Sequence, residues 1–150
     1  MVKSRLRVGL LVCSLLWIAV LFACCQAAEA RTERLRTAAQ AAGDAYNQAE
    51  IEDLPDVDRR LAEAIARWES YLEVASRDSE AHEHVVFLYS RQISRAWQSA
   101  GPDAPGMERQ LQPLWYKIAQ HRSRIFELTN GKEVSADSVA NAYEHAGEYF

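Results

Sequence analysis

The side chains best suited to catalysis or metal binding in this sequence are four histidines and three cysteines. His82 and His84 are two residues apart, which places them on different sides of a helix and prevents them from sharing one metal ion. Glu80 and His84, four residues apart, would face the same side, but we expect these residues to be exposed near a helix start. The sequence has no zinc-protease, haem-attachment, phosphate-loop or nucleophile-elbow motif. We therefore expect no enzymatic activity, no cofactor and no metal site.

Acidic residues cluster between positions 50 and 58, and paired carboxylates can perform acid–base catalysis or bind cations. A calcium loop needs a glycine turn between its ligands, whereas this segment has Leu54 and Pro55 at that place. We therefore interpret these carboxylates as helix caps and solvated charges.

The charge balance is acidic, with 17 Lys and Arg against 21 Asp and Glu in the whole chain and 14 against 20 in residues 31–150. A nucleic-acid-binding protein needs a basic excess, so no nucleic acid is expected as a partner. Four arginines stand out in the third and fourth predicted helices, with Arg91 and Arg95 spaced for one helix face: Arg91, Arg95, Arg122 and Arg124. Such arginines either pair with surface carboxylates or bind an acidic peptide or protein tail.

The first thirty residues have the layout of a targeting segment. Three basic residues precede an uncharged apolar run from Val8 to Cys25, and small residues follow it. The run has about 18 residues, which as a helix is the lower limit for crossing ~30 Å of hydrocarbon. The basic flank predicts that the amino terminus stays inside and the body is exported. We therefore divide the chain into residues 1–30, a signal peptide or membrane anchor, and residues 31–150, an exported domain.

All three cysteines lie in the targeting segment, so residues 31–150 can form no disulfide and no thiolate metal site. The tetrapeptide that ends at Cys24, Leu-Phe-Ala-Cys, resembles the lipobox of bacterial lipoproteins, which implies lipidation of Cys24 in a bacterial cell envelope. The segments Gln26-Ala27-Ala28 and Ala28-Glu29-Ala30 would instead suit an ordinary signal peptidase, and an uncleaved run would remain as an anchor helix. These three outcomes stay open.

From residue 31 onward apolar residues recur with helical period and never alternate over the length of a strand. The pattern predicts five helices, at about 30–50, 57–75, 79–99, 107–129 and 136–149. The expected caps are Asp56, Asp78 and Ser135 at helix starts and Asn130-Gly131 at the end of the fourth helix. Pro113 is expected to kink that helix or to mark its first turn.

Each predicted helix has an apolar stripe that we expect to pack inward. The stripes contain the three tryptophans of residues 31–150, which are Trp68, Trp97 and Trp115. Those of the last two helices also contain Phe126 and Ala140.

Residues 64–74 followed by 79–89 resemble the second helix of one tetratricopeptide repeat leading into the first helix of the next. Ala64 and Trp68 fall where that repeat places its small and bulky packing residues, and residues 136–143 resemble another first helix. The resemblance implies an all-α fold of antiparallel helical hairpins, a degenerate tetratricopeptide-like array of about five helices after an N-terminal hydrophobic helix. An unrelated antiparallel helical bundle would bury the same stripes and stays the alternative.

Helical repeats hold partner polypeptides on extended surfaces without a catalytic cleft. We therefore expect an envelope-anchored, periplasm-facing interaction module or scaffold without catalytic activity, whose partners are the membrane and another envelope protein. The alternative is an accessory subunit of a membrane protein complex that keeps residues 8–25 as a transmembrane helix. The candidate protein-binding residues are Arg91, Arg95, Trp97, Tyr143, Tyr149 and Phe150.

Mass spectrometry of the mature amino terminus tests the lipobox resemblance. We expect the chain purified from membranes to begin at Cys24 and to carry a diacylglyceryl group, because the lipidated cysteine becomes the new amino terminus. An intact Met1 with the apolar run retained would contradict lipidation and support the membrane-spanning subunit.

Overall fold

The computed structural model describes the backbone of residues 2–101 and 104–147, and the side chains of Trp17 and of residues 20–101 and 104–147. Five helices occur in this part of the chain: α1 (Val2–Ile51), α2 (Val57–Leu72), α3 (Ser79–Ala100), α4 (Met107–Thr129) and α5 (Ala136–His145). Since the described residues include no strand, the prediction of an all-α protein is confirmed. The second and fifth helices are shorter than predicted, because α2 ends at Leu72 and α5 at His145.

The chain divides into two compact units, Met1–Arg34 and Leu35–Phe150. In the first unit every described side chain from residue 20 to residue 31 is exposed, and Trp17, Val20, Leu21 and Phe22 are 55–69% exposed. None of the helices, as far as the described residues go, is long and apolar enough to cross a membrane. Most of the predicted apolar run from Val8 to Cys25 has side chains outside the described residues, so the anchor stays a prediction.

The large apolar residues of α2 recur on one side of the helix, and this side packs into the core of the second unit. The buried residues of this helix are Val57, Leu61, Ala64, Ile65, Trp68, Tyr71 and Leu72. Trp68 is only 4% exposed, and its Nε1 lies 3.5 Å from the point where a Cβ on Gly43 of α1 would be. A side chain larger than a methyl group at residue 43 would therefore meet the indole, so the glycine permits a close approach of α1 to α2.

Helix α3 contacts both α2 and α4, and α4 in turn contacts α5. Asp78 caps α3 as predicted, since its carboxylate accepts a hydrogen bond from the backbone N–H of Ala81. Ion pairs link distant parts of the chain across these helices. Arg36 pairs with Glu80, Glu50 pairs with Arg91, and Asp58 pairs with Arg95.

Two other predicted caps are also present. The hydroxyl of Ser135 accepts from the N–H of Ser138 at the start of α5. Helix α4 ends at Asn130 and Gly131, which have positive φ angles of 52° and 72°, and the N–H of Gly131 donates to the carbonyl of Phe126. These residue types adopt the left-handed region at the lowest cost, and so end the helix there.

Asp56 differs from its prediction, and one of the two alternatives for Pro113 is excluded. Asp56 precedes α2, but its carboxylate makes no capping bond because it accepts from Arg59 and Arg60 at 2.6 and 3.0 Å instead. Pro113 lies inside α4, which begins at Met107, and therefore does not mark the first turn.

Two residues predicted to point inward are exposed. Phe126 is 38% exposed, and its ring lies beside Gly131, where an added Cβ would be 2.9 Å from Cε2. Ala140 is exposed, whereas Ala142 is fully buried. Helix α5 contacts α4 through Ser138, Tyr143 and His145, so the predicted stripe is right at Tyr143 and wrong at Ala140.

The replacement Trp68→Ala tests the packing of α2. We expect it to lower the free energy of unfolding by about 3–5 kcal/mol, because it empties a buried site that the neighbouring helices cannot fill. Urea unfolding followed by circular dichroism measures the change. The control is Phe87→Ala, which removes a 45% exposed ring and should cost under about 1 kcal/mol. Equal losses in the two variants would show that Trp68 is not the central packing residue.

Candidate functional site

His82 is buried, with 7% of its surface exposed, whereas Glu80 and His84 are exposed as predicted. It lies on α3 beside Ala81 and one turn before Val85, on the stripe that packs inward. Its Nδ1 lies 2.7 Å from Nδ1 of His121 on α4. The ring centroids are 5.0 Å apart with the planes tilted by 49°, so the two imidazoles do not stack but meet through their Nδ1 atoms.

Hydrogen bonding assigns the protons of this histidine pair. Nε2 of His82 lies 3.2 Å from the carbonyl oxygen of Ser76, which can only accept, so Nε2 carries a proton and donates. In the neutral ring Nδ1 of His82 is then the acceptor, and Nδ1 of His121 donates to it. Protonation of both rings would place two N–H groups against each other. The pair in this geometry therefore accepts at most one extra proton.

The surroundings of the pair favour its neutral form. Burial and the neighbouring His82 lower the pKa of His121 to about 4, an effect that Lys117 increases and Glu69 opposes. Burial also lowers the pKa of His82, although the hydrogen bond to the Ser76 carbonyl acts in the other direction. Arg124 adds to that lowering and Asp78 opposes it. At neutral pH both rings are therefore uncharged.

Glu69 of α2 joins the same region to a third helix. Its Oε1 accepts from the hydroxyl of Tyr89 at 2.6 Å and from Nζ of Lys117 at 3.2 Å. Burial alone would raise the pKa of Glu69, but the hydrogen bonds from Tyr89 and Lys117 outweigh it and hold that pKa below its usual value. Burial and Glu69 raise the pKa of Tyr89. These groups satisfy one another and thereby link α2, α3 and α4.

Other polar residues that suggested a site have partners of their own. Glu80 pairs with Arg36 at 3.2 Å, and His84 stacks on the indole of Trp68 with 4.5 Å between the ring centroids. Among the residues that the structure describes, no group of three or more His, Cys, Asp and Glu side chains is placed to bind a metal ion.

The predicted binding arginines Arg91 and Arg95 make ion pairs within the second unit. Arg91 pairs with Glu50 at 3.5 Å and holds its guanidinium 5.2 Å above the ring centroid of Phe87. Arg95 pairs with Asp58. The hydroxyl of Tyr46 donates to Glu50 at 2.7 Å, so these charges belong to one network around the ends of α1 and α2.

Trp97 and Tyr143 lie at two further places. Trp97 lines a hollow of about 480 Å³ between α3, α4 and α5, together with Trp115, which stacks on His145 at 4.6 Å. The ring of Tyr143 meets that of Tyr116 edge-on at 6.1 Å between centroids. The structure therefore does not bring Arg91, Arg95, Trp97 and Tyr143 into one patch. Tyr149 and Phe150 lie outside the described residues, and Cys24 is an exposed free thiol of the first unit.

An open groove of about 590 Å³ lies where α3, α4 and the start of α5 meet, and we call it the Phe87 groove. The side chains and loop that line it are Glu83, Val86, Phe87, Arg122, Ile125, residues 131–135 and Ser138. Phe87 is 45% exposed, whereas Ile125 is almost fully buried beneath the surface. The groove has the size of a ligand-binding cleft and combines an apolar floor with a few polar groups.

Phe87 is not part of the apolar stripe predicted for α3, because it lies on the outer face of that helix. An aromatic residue on the outer face of a charged helix is the sequence feature that indicates this position. The chain matches no protein-family model, no curated protein and no solved structure.

The histidine pair predicts a pH dependence of stability. Between pH 7 and pH 5 an unfolded His121, with a pKa near 6.5, gains a proton, whereas the folded ring with its pKa of about 4 does not. Acidification therefore favours the unfolded state, and the free energy of unfolding should fall by about 2 kcal/mol across this range. Urea unfolding at the two pH values measures the loss.

The variant His121→Gln should show a smaller loss over the same range, because only His82 of the buried pair then contributes. The matched control is His84→Gln, which changes an exposed histidine of α3 and should keep the full pH dependence. An unchanged pH dependence in His121→Gln would contradict the assignment of this effect to the buried pair.

Proposed function

We propose that this chain is a protein–protein interaction module of a bacterial cell envelope, anchored to the membrane by residues 1–30, with residues 31–150 in the periplasm and without catalytic activity. The observation that carries the proposal is the Phe87 groove, an open surface in which an aromatic ring is 45% exposed. Aromatic side chains on concave surfaces are frequent centres of polypeptide binding, because they bury a large area at a low cost in entropy.

The contacts between helices support a tetratricopeptide-like arrangement. Arg36 and Glu80 pair near the starts of their segments in α1 and α3, and Glu50 and Arg91 pair further along both helices. Residues 36–50 of α1 therefore follow α3 in the same direction, as the first helices of consecutive repeats do. Asp58 at the start of α2 pairs with Arg95 near the end of α3, which fits an antiparallel pair.

Helices α4 and α5 fit the same arrangement. Trp115 early in α4 stacks on His145 at the end of α5, and Arg122 further along α4 donates to the carbonyl of Ser138 near the start of α5. The two helices therefore run antiparallel. In such an array α3 and α5 would lie side by side, and the Phe87 groove would lie on the face between them, where helical repeats hold their partners.

The exposed apolar side chains of the first unit support the membrane anchor. Trp17, Val20, Leu21 and Phe22 have no protein cover, and together they occupy several sides of a helix. A helix that is apolar all round normally lies in a protein core or in lipid. Cys24 directly follows this stretch and is exposed, as lipidation requires.

The continuity of α1 favours a second candidate, the accessory subunit of a membrane complex. Residues 26–30, which contain both predicted peptidase exits, are helical. An uncleaved segment of this kind would place the same apolar side chains against larger subunits instead of lipid.

Site-specific photocrosslinking in intact cells tests the proposed binding surface. We expect benzoylphenylalanine in place of Phe87 to give one discrete adduct with an envelope protein, because the ring lies in the groove. The matched control places the same group at Ala62, an exposed residue of α2, and should give no such adduct. No adduct from residue 87, or the same adducts from both positions, would contradict the interaction function of the groove.

A further inference from the structure

Resting on the proposed function, we infer that the Phe87 groove binds a partner segment in which an acidic side chain lies close to a large apolar one. The carboxylate pairs with Arg122, and the apolar side chain packs on Phe87.

Arg122 differs from the other partly buried arginines of the described residues. Five arginines are partly buried, and four of them have a carboxylate within 4.0 Å: Arg36, Arg60, Arg95 and Arg124. No carboxylate of the described residues lies within 4.0 Å of Arg122, whose guanidinium donates a hydrogen bond to the carbonyl oxygen of Ser138 at 3.1 Å. A partly desolvated guanidinium without an anion is costly, and a carboxylate from a partner would remove that cost.

The cost is visible in the acid–base properties of the side chain. Burial lowers the pKa of Arg122, with no carboxylate nearby to compensate. By contrast, the bond from Arg95 to Asp58 raises the pKa of Arg95 above its usual value. Arg122 is therefore the partly buried arginine of the described residues whose charge is not paired with a carboxylate.

The remaining charges of the groove lie at its rim. Glu83, Lys132 and Glu133 are exposed, whereas Arg122 is partly buried. Exposed charges are screened by water and salt and contribute little to binding, whatever their sign. The net charge of the lining is zero, but the partly buried Arg122 contributes most to binding. A partner therefore needs a negative charge where it contacts Arg122.

The apolar half of the motif follows from Phe87. Its ring is 45% exposed, and the guanidinium of Arg91 lies 5.2 Å from the ring centroid. Val86 and Val134 border the same groove and are partly buried. An apolar side chain seated there would cover exposed carbon next to the carboxylate site, which gives a two-point contact within one short segment.

A double-mutant cycle with defined peptides tests this inference. The probes are six-residue peptides that are acetylated and amidated at their ends. Each contains two leucines and one glutamate, and the spacing between them differs from peptide to peptide. For every peptide a second version has glutamine in place of the glutamate. For the best spacing, we expect the change from glutamate to glutamine to weaken binding to the intact protein by about tenfold, the size of a charge-assisted contact. Chemical shifts in two-dimensional NMR spectra measure the affinities.

The same peptide pair should differ by less than about twofold in Arg122→Gln, because the partner charge has been removed. Arg122→Lys keeps the charge but loses the forked geometry and should give an intermediate ratio. The matched control is Arg109→Gln, an exposed arginine at the start of α4, which should keep the full ratio. Phe87→Ala should weaken both peptides by a similar factor. Circular dichroism of every variant establishes that the helices are intact.

The inference is overturned if no glutamate peptide binds more tightly than its glutamine version. It is also overturned if the ratio persists in Arg122→Gln, or if only a peptide with a free terminal carboxylate binds. Each of these results would leave the interaction function itself in place if residue 87 still crosslinks to an envelope protein. Failure of crosslinking together with a full charge ratio would instead remove the proposed function and keep the carboxylate site.

Discussion

Helix α3 has neighbours on two sides, α2 and α4, and this double contact constrains the whole of the second unit. A helix between two others loses water from most of its circumference, so each polar side chain on its buried faces needs a partner inside the protein. His82 has His121 and the Ser76 carbonyl, and Tyr89 has Glu69. Loss of one such partner leaves the other buried and unsatisfied, at a cost of about 1–3 kcal/mol. The apolar stripes therefore supply most of the burial, while the polar contacts fix how the three helices are placed along one another.

The Phe87 groove lies where α4 leads into α5. The loop of residues 131–135 leads from the end of α4 to the first turn of α5, and the groove opens beside that loop. Phe87 and Arg122 lie where the cover is incomplete. By contrast, Arg91 and Arg95 of α3 pair with carboxylates of α1 and α2, and Arg124 pairs with Glu127 of its own helix.

Local chemistry made much of the fold predictable. Helical period placed Trp68 inward, and the preferences of aspartate, serine, asparagine and glycine for helix ends placed the caps at Asp78, Ser135 and Asn130-Gly131. The choice between Ala140 and Ala142 on α5 was not predictable, because both are equally small and apolar. The contact of His82 with His121 joins residues 39 positions apart, so no local pattern contains it. The Phe87 groove depends on where three helices diverge, which a pattern along one helix does not specify.

The net charge of residues 31–150 determines how an acidic partner would bind. Residues 31–150 carry six more acidic than basic side chains, so a partner with a carboxylate approaches against a weakly repulsive field. At physiological salt that field decays over about 8 Å, whereas the contact with a half-buried guanidinium forms at about 3 Å and is hardly screened. Affinity at the Phe87 groove would then come from slow dissociation and not from electrostatic steering, and added salt would reduce the repulsion on approach without much weakening the contact. If residues 1–30 anchor the chain as proposed, the same negative charge would hold residues 31–150 away from anionic lipid and leave the groove accessible to proteins beside the membrane surface.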